Sequence, residues 1–575
     1  MIAPGLPRRR PLRSPPMPRD RRLALVSIDP IWEDPSGDFV PFTYGVRKLE
    51  ASIRACPDLD DVEIRIIDLR SGDPEAFFEA IRDFRPTHVG ASLYLWSIGP
   101  FRDLAARIRR WDPSVRVVIG GPHARPSVFA LAPYRELAHT VDAAVTGEGE
   151  EVLRALLRED DWDAIPGLLR PHALGWRSTG PLERIDVDAY PSPYQLDLAP
   201  VGRTGYLETY RGCPIHCTFC QWGEQASDRV FSVEHLASHL EGLRRARVPN
   251  VFNLDAAFNL SPRGFRNLAE AERQTGVLAE TLVHGHLYPT FLRDEHLELL
   301  TSFKRCQVAI GVQSFEPEVL HRLGRPFDLA RFERVVDVVR DHFPIELELM
   351  LGLPGDDPES FRRTFHHAVE IADSVRVFWT LVLPDALLDR ADAELAIDFD
   401  PETWHIRSCA GWSPEDLQRE LAYVKRVAEE HANPVVAERW AGFQVRDRSA
   451  DPRREAGPRH IDSARDRGVT PVPIELVESI RQRVGGRVQG WRLRTMRNQH
   501  DGLFFDLDAP GGEVVLEAVP RAPDRPYFEA VDGVAYSHRG PLAREDAPQL
   551  REVIRLVHRD ALPLVRGEPR EAAHG

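Results

Sequence analysis

Between residues 23 and 157, short β-branched apolar runs alternate with stretches whose apolar residues recur at the spacing of one helix face. The runs 23–28, 62–68, 88–93, 115–119 and 143–146 predict five strands of a doubly wound parallel sheet. A second alternating series begins at Gly205. Its strands are predicted at 205–210, 250–253, 282–286, 307–313, 345–351 and 375–381, with helical stretches between them. Six such units suggest a partial barrel, whose chemistry belongs at the carboxyl ends of the strands. Residues 158–200, with Ile165-Pro166-Gly167 and Tyr190-Pro191-Ser192-Pro193, read as an ordered linker. Beyond about residue 385 the series stops and 413–431 reads as an amphipathic helix within a helical extension over 386–445. Residues 446–472 are charged, with scattered proline and glycine, and read as a second linker. The span 473–575 reads as a small α+β module: strands at 491–494, 503–507 and 513–518, hairpin signals at Asp501-Gly502 and Gly511-Gly512, and a closing helix at 543–558.

The predicted fold class is therefore α/β: a Rossmann-like sheet over 23–157, a partial (β/α)6 barrel over 201–385 and a C-terminal α+β module. Composition narrows the function. The 575 residues are 42% hydrophobic and carry a formal charge of −15, which argues against a general affinity for nucleic acid or anionic membrane. No apolar run approaches the roughly 20 residues that cross a bilayer, so a cytoplasmic protein acting on a small molecule or peptide is expected. Residues 1–22 hold seven arginines without periodicity and read as a disordered basic arm.

Three of the six cysteines fall within eight residues, in Arg211-Gly212-Cys213-Pro214-Ile215-His216-Cys217-Thr218-Phe219-Cys220, just after the first strand of the second series. Three thiolates can hold three corners of a 4Fe–4S cluster and leave the fourth iron open, whereas electron-transfer clusters usually take four cysteines. A structural zinc ion, with His216 or a distant group as fourth ligand, is the alternative these residues leave open. Cys306 reads as a buried hydrophobe of a core strand, Cys56 as a packing residue, and Cys409 falls in an irregular stretch beside the expected barrel mouth.

The spacing C-x3-C-x2-C, with Phe219 before the last cysteine, resembles the radical S-adenosylmethionine (SAM) superfamily. The resemblance extends to the order of parts. A parallel sheet precedes the cysteines, with Ser92-Leu93-Tyr94 after its third strand, Gly120-Gly121-Pro122-His123 after its fourth and Gly147-Glu148-Gly149-Glu150 after its fifth. That arrangement resembles the cobalamin-dependent branch of the superfamily, including the anaerobic magnesium-protoporphyrin oxidative cyclases. It implies that Cys213, Cys217 and Cys220 ligate a 4Fe–4S cluster whose free iron chelates SAM, and that electron injection cleaves SAM to a 5′-deoxyadenosyl radical. It also implies cobalamin contacts at Ser92, Leu93, Tyr94, Gly120, Gly121, Gly147 and Glu148. The loop Asp29-Pro30-Ile31-Trp32-Glu33-Asp34 lacks the histidine that other cobalamin proteins offer the cobalt, so the implied cofactor is base-off without a histidine lower ligand.

By the same resemblance Gln313, Ser314, Glu348 and Asp255 face SAM, Glu348 standing where the family commonly has aspartate. His284 and His286 alternate along the third barrel strand and point to one side, as polar core or as groups facing a substrate. The implied activity is methylation of an unactivated carbon of a natural product or peptide, with flavodoxin or ferredoxin as electron donor. A cobalamin-dependent cyclase or rearrangement enzyme, and a cobalamin- or SAM-responsive binding protein, are the alternatives.

Overall fold

A computed structural model describes residues 21–29, 40–69, 73–173, 175–182, 185–224, 229–446, 474–499, 502–520, 528–532, 534–539, 542–543 and 546–566. Most of the expected basic arm, the loop 30–34, residues 447–472 of the linker expected at 446–472, and Asp501 of the expected hairpin signal lie outside these residues. The chain divides into two compact units, one of residues 1–287, 303–327 and 346–445, the other of 288–302, 328–345 and 446–575.

The first sheet of the first unit contains β1 (Arg22–Val26), β2 (Glu63–Ile67), β3 (His88–Ser92), β4 (Arg116–Gly120), β5 (Ala143–Val145), β6 (Leu168–His172) and β7 (Gly175–Ser178), in the order β2-β1-β3-β4-β5-β6-β7. Strands β1 to β5 are parallel. Helices α1 (Tyr44–Arg54), α2 (Pro74–Phe84), α3 (Ile98–Trp111), α4 (Pro126–Ala130) and α5 (Gly149–Arg158) connect them. Strand alternation sorts the apolar residues onto two faces. Ala24, Val26, Val89 and Ile119 share a core with Phe77, Ile81, Phe101 and Ile108, while Leu23, Leu25, Val118 and Val145 share one with Val46, Ile53, Val152 and Leu156. Both faces are thus covered, as a parallel sheet requires. The strand order reverses between β1 and β3, and ligands of such sheets bind beyond the carboxyl ends at that point.

Residues 158–200 differ from the expected linker: β6 and β7 join the first sheet as an antiparallel hairpin beyond β5. Leu168 and Leu169 are buried there and complete both cores, which a proline-marked stretch concealed.

The second sheet is built from β8 (Gly205–Leu207), followed after the short strands β9 (Tyr210–Arg211) and β10 (Arg229–Val230) by β11 (Asn250–Asn253), β12 (Leu282–His286), β13 (Arg305–Gln313), β14 (Ile345–Leu351) and β15 (Ser374–Trp379). Its order runs β8-β11-β12-β13-β14-β15 and continues through two further strands described below. Buried apolar residues alternate with a half-buried polar row that includes His284, His286, Gln307, Glu346, Glu348 and Arg376 on the inner face. Helices α6 (Val233–Arg245), α7 (Pro262–Thr275), α8 (Asp294–Ser302), α9 (Pro317–Arg322), α10 (Leu329–Arg340) and α11 (Pro358–Ile371) intervene, and α8 and α10 fall in the second unit.

After the barrel come α12 (Leu387–Arg390), the short pair β16 (Asp398–Phe399) and β17 (Ile406–Ser408), and α13 (Pro414–Glu429). The expected helical extension is therefore only partly helical. Beyond α13, β18 (Ala432–Val436) and β19 (Trp440–Gln444) add to the barrel sheet, β19 pairing antiparallel with β15 and so covering an edge that would otherwise stay open.

In the second unit, α14 (Ile474–Arg487), β20 (Arg492–Gln499), β21 (Gly502–Ala509), β22 (Gly512–Pro520), β23 (Glu529–Val531), β24 (Val534–Arg539) and α15 (Ala547–Arg566) form an α+β module. Its antiparallel sheet has the order β20-β21-β22-β24-β23, and Ile480, Val484, Leu503, Phe505, Tyr536 and Ile554 share its core.

Candidate active site

The cysteine loop is closed at its neck before any metal is considered. β9 and β10 pair antiparallel across it, Arg211 opposite Arg229 and Tyr210 opposite Val230. The carboxylate of Asp255, just past β11, accepts from the Thr209 N–H at 2.8 Å, the Thr209 hydroxyl at 2.5 Å and Asn253 Nδ2 at 2.9 Å. Burial pushes Asp255 up to about 7 against those bonds. Asp255 therefore pins the strand that delivers Cys213 and is fully engaged in doing so.

Inside the loop the Ile215 N–H lies 3.4 Å from Cys213 Sγ, and the Cys220 N–H donates to the Cys217 carbonyl at 3.1 Å. Backbone packing fixes the far side. The Thr218 N–H donates to the Leu323 carbonyl at 2.8 Å, and a side chain on Gly223 would sit 2.7 Å from the Ile215 carbonyl. Cys213 and Cys217 are buried and Cys220 half-buried. Burial pushes the Cys213 thiol up to about 11 and raises Cys217 and Cys220, while the Arg325 guanidinium pulls each of them down. Such thiols lose their protons to a bound metal rather than to water. Arg325 Nη1 stands 3.9 Å from Cys217 Sγ, and Arg390 Nη1 is 3.5 Å from the Cys217 carbonyl. Neither arginine was singled out from sequence, since both come from stretches remote from the motif. His216, the fourth ligand a zinc ion would take, has its Nδ1 2.6 Å from the Gly223 carbonyl.

Gln313 ends β13 at φ 66°, a left-handed conformation rare outside glycine that marks a strained site. Its side chain folds over Gly311, where an added Cβ would lie 2.5 Å from Nε2, and its Oε1 is buried with no hydrogen-bond partner among the described residues. A buried acceptor of this kind fits a donor from a bound ligand. Ser314 differs: its hydroxyl donates to Asp356 at 3.4 Å and accepts from the Glu316 N–H at 3.2 Å, at the start of α9. Glu348 faces the lumen 3.3 Å from His286 Nε2, and Arg376 pairs with Glu346 at 3.1 Å beside them. Burial opposes charge on both members of the first pair, yet Glu348 raises His286, and His286 lowers Glu348. Cys409, buried with its thiol pushed up to about 12, lies 3.7 Å from the Gly352 carbonyl.

At the first sheet, Gly121 has φ 92° and an added Cβ would meet the Leu93 carbonyl at 2.8 Å and Ser92 Oγ at 2.9 Å. The loops after β3 and β4 therefore interlock through backbone: the Leu93 N–H donates to the Gly120 carbonyl at 2.7 Å and the His123 N–H to the Leu93 carbonyl at 3.1 Å. Tyr94 stacks on Trp96 at 4.7 Å, whose Nε1 donates to Asp29 at 3.3 Å. His123 is buried, both ring nitrogens lack a partner among the described residues, and burial lowers it to about 3, so it stays neutral. A glycine cradle beside orphaned polar atoms fits a large polar cofactor. Gly147 opens toward Leu182, 3.5 Å from an added Cβ. Glu148 is committed elsewhere: it pairs with Arg211 at 2.6 Å and Arg229 at 2.5 Å.

Comparison with known proteins agrees with both halves. The B12 binding domain family matches residues 40–157 and the Radical SAM superfamily matches residues 207–368. The chain is 29% identical over 334 residues to the 2-(S-pantetheinyl)-carbapenam-3-carboxylate methyltransferase of Streptantibioticus cattleyicolor, covering 52% of this chain and 48% of that protein. It is 28% identical over 338 residues to the cobalamin-dependent radical SAM methyltransferase TokK of Streptomyces tokunonensis, covering 53% and 48%. The chain thus spans about half the length of these curated relatives. In fold it resembles TsrM of Kitasatospora setae, solved with cobalamin and a 4Fe–4S cluster, with a TM-score of 0.52 at 19% identity over 74% of this chain and 88% of that one. OxsB, solved with aqua-cobalamin and SAM, gives 0.53 at 14% identity over 72% and 69%.

Proposed function

We propose that this chain, a B12-binding radical SAM protein, is a methyltransferase that acts on an unactivated carbon of a small natural product or peptide. The observation that carries this reading is the meeting, within one compact unit, of the cysteine loop and the ligand loops of the first sheet through Glu148 and Arg211. Cys213, Cys217 and Cys220 would hold the cluster, and the cradle of Ser92, Leu93, Gly120 and Gly121 would hold cobalamin. When bound, the cluster and cobalamin supply one-electron cleavage of SAM and a transferable methyl group.

The chain's own residues do the positioning. Gln313 offers its unpartnered Oε1 to SAM, and Arg325 places a fixed positive charge beside Cys217. Ser314 and Asp255 act through the backbone they hold, Ser314 on the start of α9 and Asp255 on the neck of the cysteine loop. The lumen wall, with the pairs His286–Glu348 and Arg376–Glu346, suits a substrate rich in hydrogen-bonding groups. Electrons would come from an external donor such as flavodoxin or ferredoxin. Among the described residues no helix is long and apolar enough to cross a membrane.

The test is incubation of the reduced, cluster-reconstituted and cobalamin-supplied protein with methyl-deuterated SAM and extract of the source organism, followed by mass spectrometry. A labelled methyl group on a small molecule or peptide, lost in Cys217→Ala, is the expected result. Formation of 5′-deoxyadenosine with a converted but unlabelled product would overturn methyl transfer in favour of cyclisation or rearrangement.

A further inference from the structure

We propose that Arg211 is a positioning residue that seats the cysteine loop on the ligand loops of the first sheet, and that through it the filling of either cofactor site tightens the other. The inference rests on the cofactor reading above and is independent of methyl transfer. Arg211 stands two residues before Cys213, and its side chain is 13% exposed. Each of its three nitrogens meets a different carboxylate: Nη1 donates to Glu148 at 2.6 Å, Nη2 to Glu150 at 2.8 Å and Nε to Glu208 at 2.9 Å.

Glu148 and Glu150 stand at the start of α5, beyond the carboxyl end of β5, whereas Glu208 follows β8 of the barrel. Lys48 of α1 closes on Glu208 at 2.7 Å, and Arg229 of β10 on Glu148 at 2.5 Å. Three cations thus meet three anions, all at most 18% exposed, and the members come from both sheets' surroundings. Desolvated charges of this kind demand their partners, because loss of one leaves another buried and unpaired. The set is satisfied only when the start of α5 and the neck of the cysteine loop are both in place.

A second tie runs from the loop after β4. Arg125 donates through Nη1 to the Gly121 carbonyl at 3.3 Å and through Nε to Asp385 at 2.5 Å. Ser127 donates to Asp389 at 3.1 Å, and Arg390, the next residue, reaches the Cys217 carbonyl. The loops after β4 and β5, the regions expected to touch cobalamin, therefore both end on the cysteine loop. A ligand that orders one loop reduces the ordering cost left to the other, and linkage makes the effect equal in both directions.

The experiment titrates hydroxocobalamin anaerobically into the full chain with and without its reconstituted cluster, following the cobalamin spectrum. The wild type is expected to bind roughly tenfold more tightly with the cluster in place, within the usual range of such couplings. Glu150→Gln keeps the shape of the side chain and removes one anion, and should lower that ratio, Glu148 and the tie through Arg125 remaining, while leaving the affinity of the cluster-free form unchanged. Arg211→Lys, which keeps the charge and loses the three-way fork, should lower the ratio further, and it carries the comparison alone if Glu150→Gln does not fold. A wild-type ratio of one overturns the inference, as does a wild-type ratio retained in the folded variants. Failure of hydroxocobalamin to bind in either form would overturn the cofactor reading too, whereas binding with a ratio of one overturns this inference alone.

Discussion

The two parallel sheets of the first unit place their ligand loops at the same end of their strands and build them by opposite means. Around the first sheet the ligand end is made of backbone: Gly121 lies against the Leu93 carbonyl, and backbone hydrogen bonds lace the loops after β3 and β4. Around the barrel the site is made of side chains: Asp255 pins the loop neck, Arg211 ties it to three carboxylates, and Gln313 holds a strained conformation over Gly311. The difference suits what each is proposed to hold. A large preformed cofactor needs room and a smooth rim, whereas a cluster needs donors delivered at fixed points by a loop that does not move.

The largest effect separates the two sites outright. Cys217→Ala should abolish the cluster while leaving cobalamin binding measurable, read as iron and sulfide content against bound cobalamin. Loss of both would show that the crevice, too, depends on the loop's metal.

Gly121→Ala should do the converse. Its Cβ would meet backbone 2.8 Å away at φ 92°, and strain of about 1–3 kcal/mol in the crevice should weaken cobalamin roughly tenfold or more. Cluster content should stay at the wild-type level. An unchanged cobalamin affinity would show that this rim does not shape the crevice.

A pH test sharpens the contrast, because the carboxyls shifted to about 7 belong to the barrel side. Asp255 is raised from 3.8 to about 7, as is Asp356. A raised carboxyl contributes stability that is full below its unfolded value near 4 and is lost as pH rises through about 7. Between pH 6 and 8 each should therefore cost about 1.4 kcal/mol. Buried histidines such as His123, held neutral, gain stability over the same window, so the readout is the difference between variant and wild type. Asp255→Asn should gain about 1.4 kcal/mol relative to wild type between pH 6 and 8, measured by denaturant unfolding. A difference that does not change with pH would contradict the burial assigned to Asp255.

The smallest expected effect lies in the lumen. Glu348→Gln should weaken SAM binding by about 1 kcal/mol and let His286 drop toward its burial-lowered value, leaving cobalamin affinity untouched. Isothermal titration with SAM reads the first change. An unaltered SAM affinity would confine Glu348 to its pairing with His286.

Local pattern carried much of the architecture. The alternation in 23–28, 88–93, 282–286 and 345–351 matches observed strands because a parallel strand buries its apolar face whatever lies beyond it. The meeting of the three cysteines in one loop was legible because their spacing is itself local. Less visible were β6 and β7, whose pairing is antiparallel and non-local, and β18 and β19, hidden behind a helix. In the second unit β23 and β24 fall outside the expected strands although Asp532-Gly533 between them is a hairpin signal of the same kind as Asp501-Gly502.

What the sequence by itself determined was the layout: two α/β domains, a loop carrying three cysteines and glycine-marked loops after the strands, all written in local pattern. Only the tertiary structure decided which of those polar residues are available. Ser314 is bound to Asp356, Asp255 to Thr209, and Glu148 to Arg211 and Arg229, whereas Gln313 keeps an acceptor without a hydrogen-bond partner among the described residues. The physical reason is that a buried polar group takes the nearest satisfying partner, and that partner is set by chain segments tens to hundreds of residues away.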